Sequence, residues 1–562
     1  MDSNSPPIEL PIDHDFVSEE MLQFPRDPAD RGTYSFAEPL TWAPLALVGM
    51  PKDWEHRGDH RLAEKLSLES RSSDFEARAF YFKILREWLL ACDNHDSCKL
   101  PQDEPEFWPT RAIFVGDDQQ LKLVEEPSGD RDYIVLSHCW GKPTKEEWDA
   151  FCTTPHNYRS RLSGFPLADL PKTFRDAIDV TRELGKQYLW IDALCIVQGP
   201  DGDWESEAGR MERVFANAYC TIAADSAADW KDGFLKPSLW NQVVPGSAEC
   251  DCDFKSGVDE GNLMKRAWVI QERVLSRRTI HFTESHPNAA HTYWECGNGV
   301  RCQQFSQLRV PLGKETFIID SYFPSRLKKA GYYRCLEFIQ FLLEEYSKCG
   351  LTYKSDRDIA IRSLLERMGR ELATDVRYGI VRCFIGSLLL WKRTAKEMTA
   401  PIKFERRTVP SWSWMAYDGS IEFIDKFRYD LRIPQSLDLG FGQDGKEFEV
   451  KIRKFENCHL GENNGDNEYT IEAIHAIEVL HSATKKVGSM WYDMKEKDKI
   501  EFNYCVVAGA HGSGSPVNAV YPKSYLVIVV QETLGGGGYR RIGVGTVYDG
   551  YLSTKSEAGR LL

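Results

Sequence analysis

Three stretches of this sequence set chemistry-capable side chains at the ends of apolar runs. Tyr133, Ile134, Val135 and Leu136 lead into Ser137, His138, Cys139, Trp140 and Gly141. The run Tyr188 to Ile191 leads into Asp192, and Asp203, Trp204, Glu205 and Glu207 open the helical stretch that follows. Carboxylates and a hydroxyl can hold ribose or phosphate and balance a developing positive charge, and indoles can stack on a planar ring. The elements that must position these groups are legible too. Short apolar runs separated by a helical stretch are the pattern of a βαβ unit with buried parallel strands, and such sheets bind ligands beyond the carboxyl ends of their strands. The fold class expected is therefore α/β, with Ser137, His138, Trp140, Asp192 and the turn from Asp203 to Glu207 converging on one sheet edge.

The helical phase separates the acids. With one helix running from Asp203 to Ala218, the apolar stripe is Trp204, Ala208, Met211, Phe215 and Ala218. Glu205 and Glu212 then fall in the solvated sector, whereas Glu207 lies roughly 60° to the other side, beside Val214. A half-buried carboxylate next to a tryptophan suits a catalytic group. It equally suits a helix cap or an ion pair with an arginine such as Arg273. Further on, RAWVIQERVLSRR places Trp268, Gln271, Glu272 and Leu275 on one helical face.

His138, Cys139, Asp192 and Cys195 also permit a thiol nucleophile, although a buried cysteine is ordinarily an inert small hydrophobe. Cys92, His95 and Cys98 are metal-capable, and Cys250, Cys252, Cys296 or Cys302 could complete a zinc site after folding; buried thiols are the default reading, and no metal or cofactor is predicted. No GxxxxGK[ST] and no GxGxxG after a strand is present, which excludes the usual signatures of ATP hydrolysis and dinucleotide redox chemistry.

The bulk numbers bound the rest. A chain of 562 residues suggests about three domains at ~100–200 residues each. Its net charge of −15 is spread out with no basic tract, which argues against nucleic acid. The N-terminus lacks the pattern of a secretory signal, and no apolar run approaches the ~20 residues that span a bilayer. Fifteen cysteines, an odd count, predict reduced thiols, no disulfides and a cytoplasmic location. The expected organisation is an irregular and helical region over 1–130, the α/β module over 131–305, a helical region over 306–400 and a β-rich region over 401–562. Gly185 should close the helix opened by Pro171, and Gly535 to Gly538 should form a hairpin loop.

The strings YIVLSHCWG, LPKTFRDAIDVTRELGKQYLWIDALCIVQ, DWESEAGRMERVFANAYCTIAA and RAWVIQERVLSRRTIHF resemble the successive motifs of the fungal heterokaryon-incompatibility (HET) domain. More loosely, CDNHDSC, VPSWSW and YRRIGVG resemble its flanks. The resemblance implies a fungal protein of self/non-self recognition and regulated cell death, with a TIR-like, flavodoxin-like parallel-sheet core. It also implies NAD as a substrate rather than a cofactor. Some TIR proteins hydrolyse NAD by a glutamate in a helix that begins with a tryptophan. Carried over, that glutamate falls on Glu207, with Ser137 and Asp192 beside it as catalytic partners. His138, Trp140, Trp204, Asp203, Gln271 and Arg273 are then the substrate-binding set. Trp204 to Glu207 is one residue shorter than the usual spacing, which keeps Glu205 in play. The implied partners are a small nucleotide and either a second copy or an incompatibility partner protein. The alternatives are a non-enzymatic death effector that acts by oligomeric assembly, and a HET-fold enzyme acting on another small molecule in a biosynthetic pathway.

Overall fold

A computed structural model describes residues 73–99, 107–116, 120–241, 252–286, 289–303, 307–309, 315–394, 400–404, 408–425, 431–432, 447–463, 468–473, 485–494, 502–511, 523–533 and 535–562. Residues 1–72, the first part of the irregular and helical region expected over 1–130, and Cys250 lie outside these.

The strand Tyr133–Ser137 is buried at every position, as a strand covered on both faces must be. It pairs in parallel with Tyr188–Trp190 on one side and Cys220–Ala223 on the other, and Cys220–Ala223 pairs in parallel with Arg278–His286. The sheet is mixed, not purely parallel. Its four parallel strands run in the spatial order second, first, third, fourth. Antiparallel strands flank them: Ala112–Phe114, Gln120–Val124 and Phe165–Pro166 on one side, Ala289–Cys296, Gly299–Cys302 and Gln307–Arg309 on the other, within one ten-stranded sheet. The runs RAIFV and LKLVEE, read from the sequence as a hairpin, and TYWEC, read as a short strand, form three of these flanking strands, but no local pattern told how they pair with the parallel ones.

Helices connect the parallel strands. Lys172–Glu183 has Pro171 at its N-cap, and its chain reverses at Gly185, where φ is +73°. The single helix expected from Asp203 to Ala218 is two pieces, Trp204–Ala208 and Met211–Asn217, because Gly209 and Arg210 interrupt it. Glycine is among the poorest helix formers. Glu212, placed by the wheel in the solvated sector, is instead buried against Arg367 Nη1 (3.1 Å) and Arg370 Nη2 (3.4 Å). The helix Ile359–Glu371 that carries these arginines covers a face that no local periodicity could reveal.

The amino-terminal helix Asp74–Asp93 opens with a capping box between Ser73 and Glu76. Arg78 ties it to Glu183 at 2.8 Å, and the Tyr81 hydroxyl meets the Thr292 hydroxyl at 2.7 Å on the antiparallel flank. Beyond the sheet, Tyr332–Lys348 and Ile359–Glu371 form the helical region. A second, nine-stranded sheet, almost wholly antiparallel, completes the chain. In it the Gly535–Gly538 run joins Ser524–Glu532 to Tyr539–Tyr548 as a hairpin, with Glu532 opposite Tyr539. One hydrophobic core runs from Ala77 through both sheets to Leu561. Among the described residues every cysteine is free, and no helix is long and apolar enough to cross a membrane.

Candidate functional site

The carboxyl ends of the parallel strands gather side chains from four segments. Ser137, the last residue of the first parallel strand, donates its hydroxyl to Oε2 of Glu272. Glu272 lies on the helix Ala267–Leu275 and is buried. Burial pushes its carboxyl up from 4.5 to about 7, against smaller downward pulls from the Ser137 hydroxyl and Arg266. Arg266 donates to the carbonyl of His138, which fixes the turn after the strand.

His138 is neutral near pH 7. Burial lowers its pKa to about 4, and the attraction of Asp192 only partly opposes this. Its Nδ1 stands 3.9 Å from Asp192 Oδ1, and its buried Nε2 has no hydrogen-bond partner among the described residues. Asp192 opens the one-turn helix Asp192–Cys195; its Oδ1 accepts from the Ala193 N–H and its Oδ2 from Trp140 Nε1, both at 2.7 Å. Trp140 stacks between two neighbours, parallel to His138 at 6.4 Å and to Trp230 at 6.0 Å. Its indole N–H thus orients Asp192. Gly141 lets the chain turn away here: its φ is +70°, and a Cβ would fall 2.4 Å from Asp229 Cβ.

Below Ser137, a small cavity between the first, third and fourth parallel strands is walled by Ala223, Asp225, Arg273 and His281. A wider polar cavity of about 350 Å³, lined by Ser226, Glu260, Asn262 and Glu284, shares Asp225 with it. His281 bridges two acids, with Nδ1 3.0 Å from Asp225 Oδ2 and Nε2 3.1 Å from Glu295 Oε2. Those carboxylates outweigh burial and raise its pKa to about 9. Arg273 grips Glu295 with two bonds, at 2.9 and 2.8 Å, and Asp259 at 2.8 Å. It lines the cavity, but its guanidinium is held by protein acids.

The remaining predicted residues sit as follows. Glu207 is buried, as its helical phase indicated, and Thr110 Oγ1 donates to it at 2.7 Å with Arg210 Nη1 at 3.5 Å. Its arginine is Arg210, not Arg273. Asp203 receives Arg111 and, at 2.8 Å, the Val197 N–H, so it anchors the loop before its helix. Trp204 meets Trp268 edge-on at 6.2 Å, which docks that helix on the one carrying Glu272. Both amide atoms of Gln271 are buried without a partner among the described residues. Cys195 is buried and its thiol is pushed up to about 12, and burial raises Cys139 as well, so neither offers a thiolate near neutrality. Cys92, His95 and Cys98 lie together with Cys296 and outside this group.

Sequence reasoning placed Glu272 on a helix face without giving it a role. The available signal was Trp268, four residues earlier, in a helix beginning with tryptophan. His281 and Glu295 had no signal, because their proximity depends on the register of two antiparallel strands, Thr279 opposite Glu295.

Fold and site together define an α/β module with a carboxylate-bearing cleft at the edge of its parallel strands. Residues 133–272 match the family model described as Heterokaryon incompatibility protein (HET). The match begins at the first residue of the first parallel strand and ends on Glu272. No curated protein and no solved structure matches the chain.

Proposed function

We propose that this HET-domain protein is an effector of fungal self/non-self recognition and regulated cell death, and that it hydrolyses NAD with Glu272 as the key carboxylate. The carrying observation is the buried Glu272 held by Ser137 at the carboxyl end of the first parallel strand. The order of the parallel strands, second, first, third, fourth, is that of a flavodoxin-like sheet as far as it extends, and ligands of such sheets lie between the first and third strands. Ser137 and Asp225 flank that crevice. The four-residue step from Trp268 to Glu272, in the helix after the third strand, supports a TIR-like reading better than the three-residue step from Trp204 to Glu207.

In the reaction, the bond between nicotinamide and ribose breaks and nicotinamide leaves as a neutral amide. Water adds to the ribose carbon and releases a proton, giving ADP-ribose. No acid is needed for the leaving group. Ionised Glu272 opposes the positive charge on ribose, Asp192 and Ser137 hold ribose hydroxyls, neutral His138 offers Nε2, and Arg266 supplies a cation for the diphosphate. The test is nicotinamide release by purified protein at high and low concentration, beside Glu272→Gln, Ser137→Ala and Glu207→Gln. Glu272→Gln is expected to lose about 10²-fold or more of kcat, as loss of one electrostatic group does, while Glu207→Gln keeps most of it. Loss confined to Glu207→Gln would move the site to Glu207. Absence of turnover in folded protein at every concentration would favour assembly or another substrate.

A further inference from the structure

We propose that Cys92, His95, Cys98 and Cys296 form a structural zinc site that staples the amino-terminal helix to the antiparallel flank of the central sheet. Their ligand atoms, three Sγ and one imidazole nitrogen, all lie within 4.8 Å of one another. His95 Nδ1 is 3.9 Å from Sγ of both Cys98 and Cys296. Four ligands placed ~2.1–2.3 Å from a zinc ion at the corners of a tetrahedron are about 3.6–3.8 Å apart, so the two distances from His95 are already close to those of a zinc cage and the widest separation has at most about 1 Å to close.

The local backbone presents these ligands as a unit. Cys92 is in the last turn of Asp74–Asp93, and Cys98 closes the single turn Asp96–Cys98. The His95 N–H bonds the Cys92 carbonyl at 3.0 Å, and the Cys98 N–H bonds the His95 carbonyl at 2.9 Å. That spacing curls three ligands around one point. The fourth arrives 201 residues after His95, at the tip of the hairpin between Ala289–Cys296 and Gly299–Cys302. Gly297 allows the approach: a Cβ there would lie 2.6 Å from Ser321 Oγ and 2.9 Å from the Ser97 carbonyl.

The surroundings fit thiolates. Ser321 Oγ donates to Cys98 Sγ at 3.5 Å, and the Asn298 N–H is directed at Cys296. Buried Arg278, anchored on Asp93 at 2.6 Å, stands within electrostatic reach of Cys92. Zinc with three thiolates and a neutral imidazole carries one net negative charge, which the guanidinium, shared between Asp93 and Cys92, attracts. Disulfide pairing would leave one of the three thiols and the imidazole unused. Of the other candidates, Cys252 lies 3.7 Å from His291 and belongs to a different cluster.

The test is metal analysis of tag-free, reduced, full-length protein, followed by cobalt substitution read by optical absorption. About one equivalent of zinc, with thiolate-to-cobalt charge transfer and tetrahedral d–d bands on replacement, is expected. Cys98→Ser and Cys296→Ser should lose the metal and melt several degrees lower, Cys383→Ser should keep it, and His95→Cys should keep it with a spectrum shifted toward four sulfurs. Should Cys98→Ser or Cys296→Ser fail to fold, the wild-type zinc content and cobalt spectrum decide alone. Folded, reduced wild-type protein with less than about a tenth of an equivalent of metal and no cobalt bands would overturn the site, as would wild-type binding in the two serine variants.

Discussion

At the scale of single residues, Glu272 joins stability to chemistry. Its carboxyl titrates at about 7 when folded against 4.5 when free, so between these values the folded state binds the proton that the unfolded chain has released. Stability therefore falls as pH rises from 4.5 to 7 and is level above, by an amount on the order of 3 kcal/mol at 1.36 kcal/mol per pH unit. Glu272→Gln should remove this loss and raise the denaturant midpoint at pH 8 while leaving it little changed at pH 4.5. Under the proposed NAD hydrolysis, in which the charged form opposes the positive charge on ribose, the same ionisation should appear as an ascending limb in kcat near pH 7. A variant that is stabilised at pH 8 but still active would separate the two roles and count against catalysis by this group.

At the scale of elements, two devices hold the sheet edge. The first is the strand pair Arg278–His286 and Ala289–Cys296, cross-linked by His281, Glu295 and Arg273. A histidine whose folded pKa is raised to about 9 contributes stability that is complete below pH 6.5 and lost as pH rises through 9. His281→Gln should flatten the stability profile between these values, measured by urea denaturation at pH 6 and pH 9.5. Asp225, Glu295 and Arg273 are the charged groups facing His281, so the change should be read in their presence. The second device is the turn at Gly141. Gly141→Ala forces an alanine into the left-handed region and against Asp229, and should cost about 2 kcal/mol or more. Because the turn also aims Trp140 at Asp192, nicotinamide release should fall further than the population of folded protein does.

At the scale of the molecule, Arg541 locks the carboxyl-terminal sheet to the segment around Leu389 and Trp391, and a buried ion pair within that sheet holds it in place. Arg541 is fully buried, bonds Asp493 through Nε at 2.8 Å and Nη2 at 3.1 Å, and reaches the carbonyls of Leu389 and Trp391. Its guanidinium also lies 3.5 Å from the centre of the Trp391 ring. Arg541→Met leaves Asp493 charged and unpaired in the core and should cost about 3–5 kcal/mol, whereas Arg541→Met with Asp493→Asn should recover much of it. Comparison of the three midpoints in denaturant checks this. By itself, the sequence determined the strands buried on both faces, the helix stop at Gly185 and the grouping of Ser137, His138, Trp140 and Asp192. Each of these follows from local periodicity or from residues a few positions apart. Only the tertiary structure decided that Glu272 is the acid meeting Ser137, that Glu207 meets Thr110 and Arg210, and that Cys296 joins Cys92, His95 and Cys98. Those contacts depend on which helix packs over which strand end and on the register of distant strands, and chain periodicity carries neither.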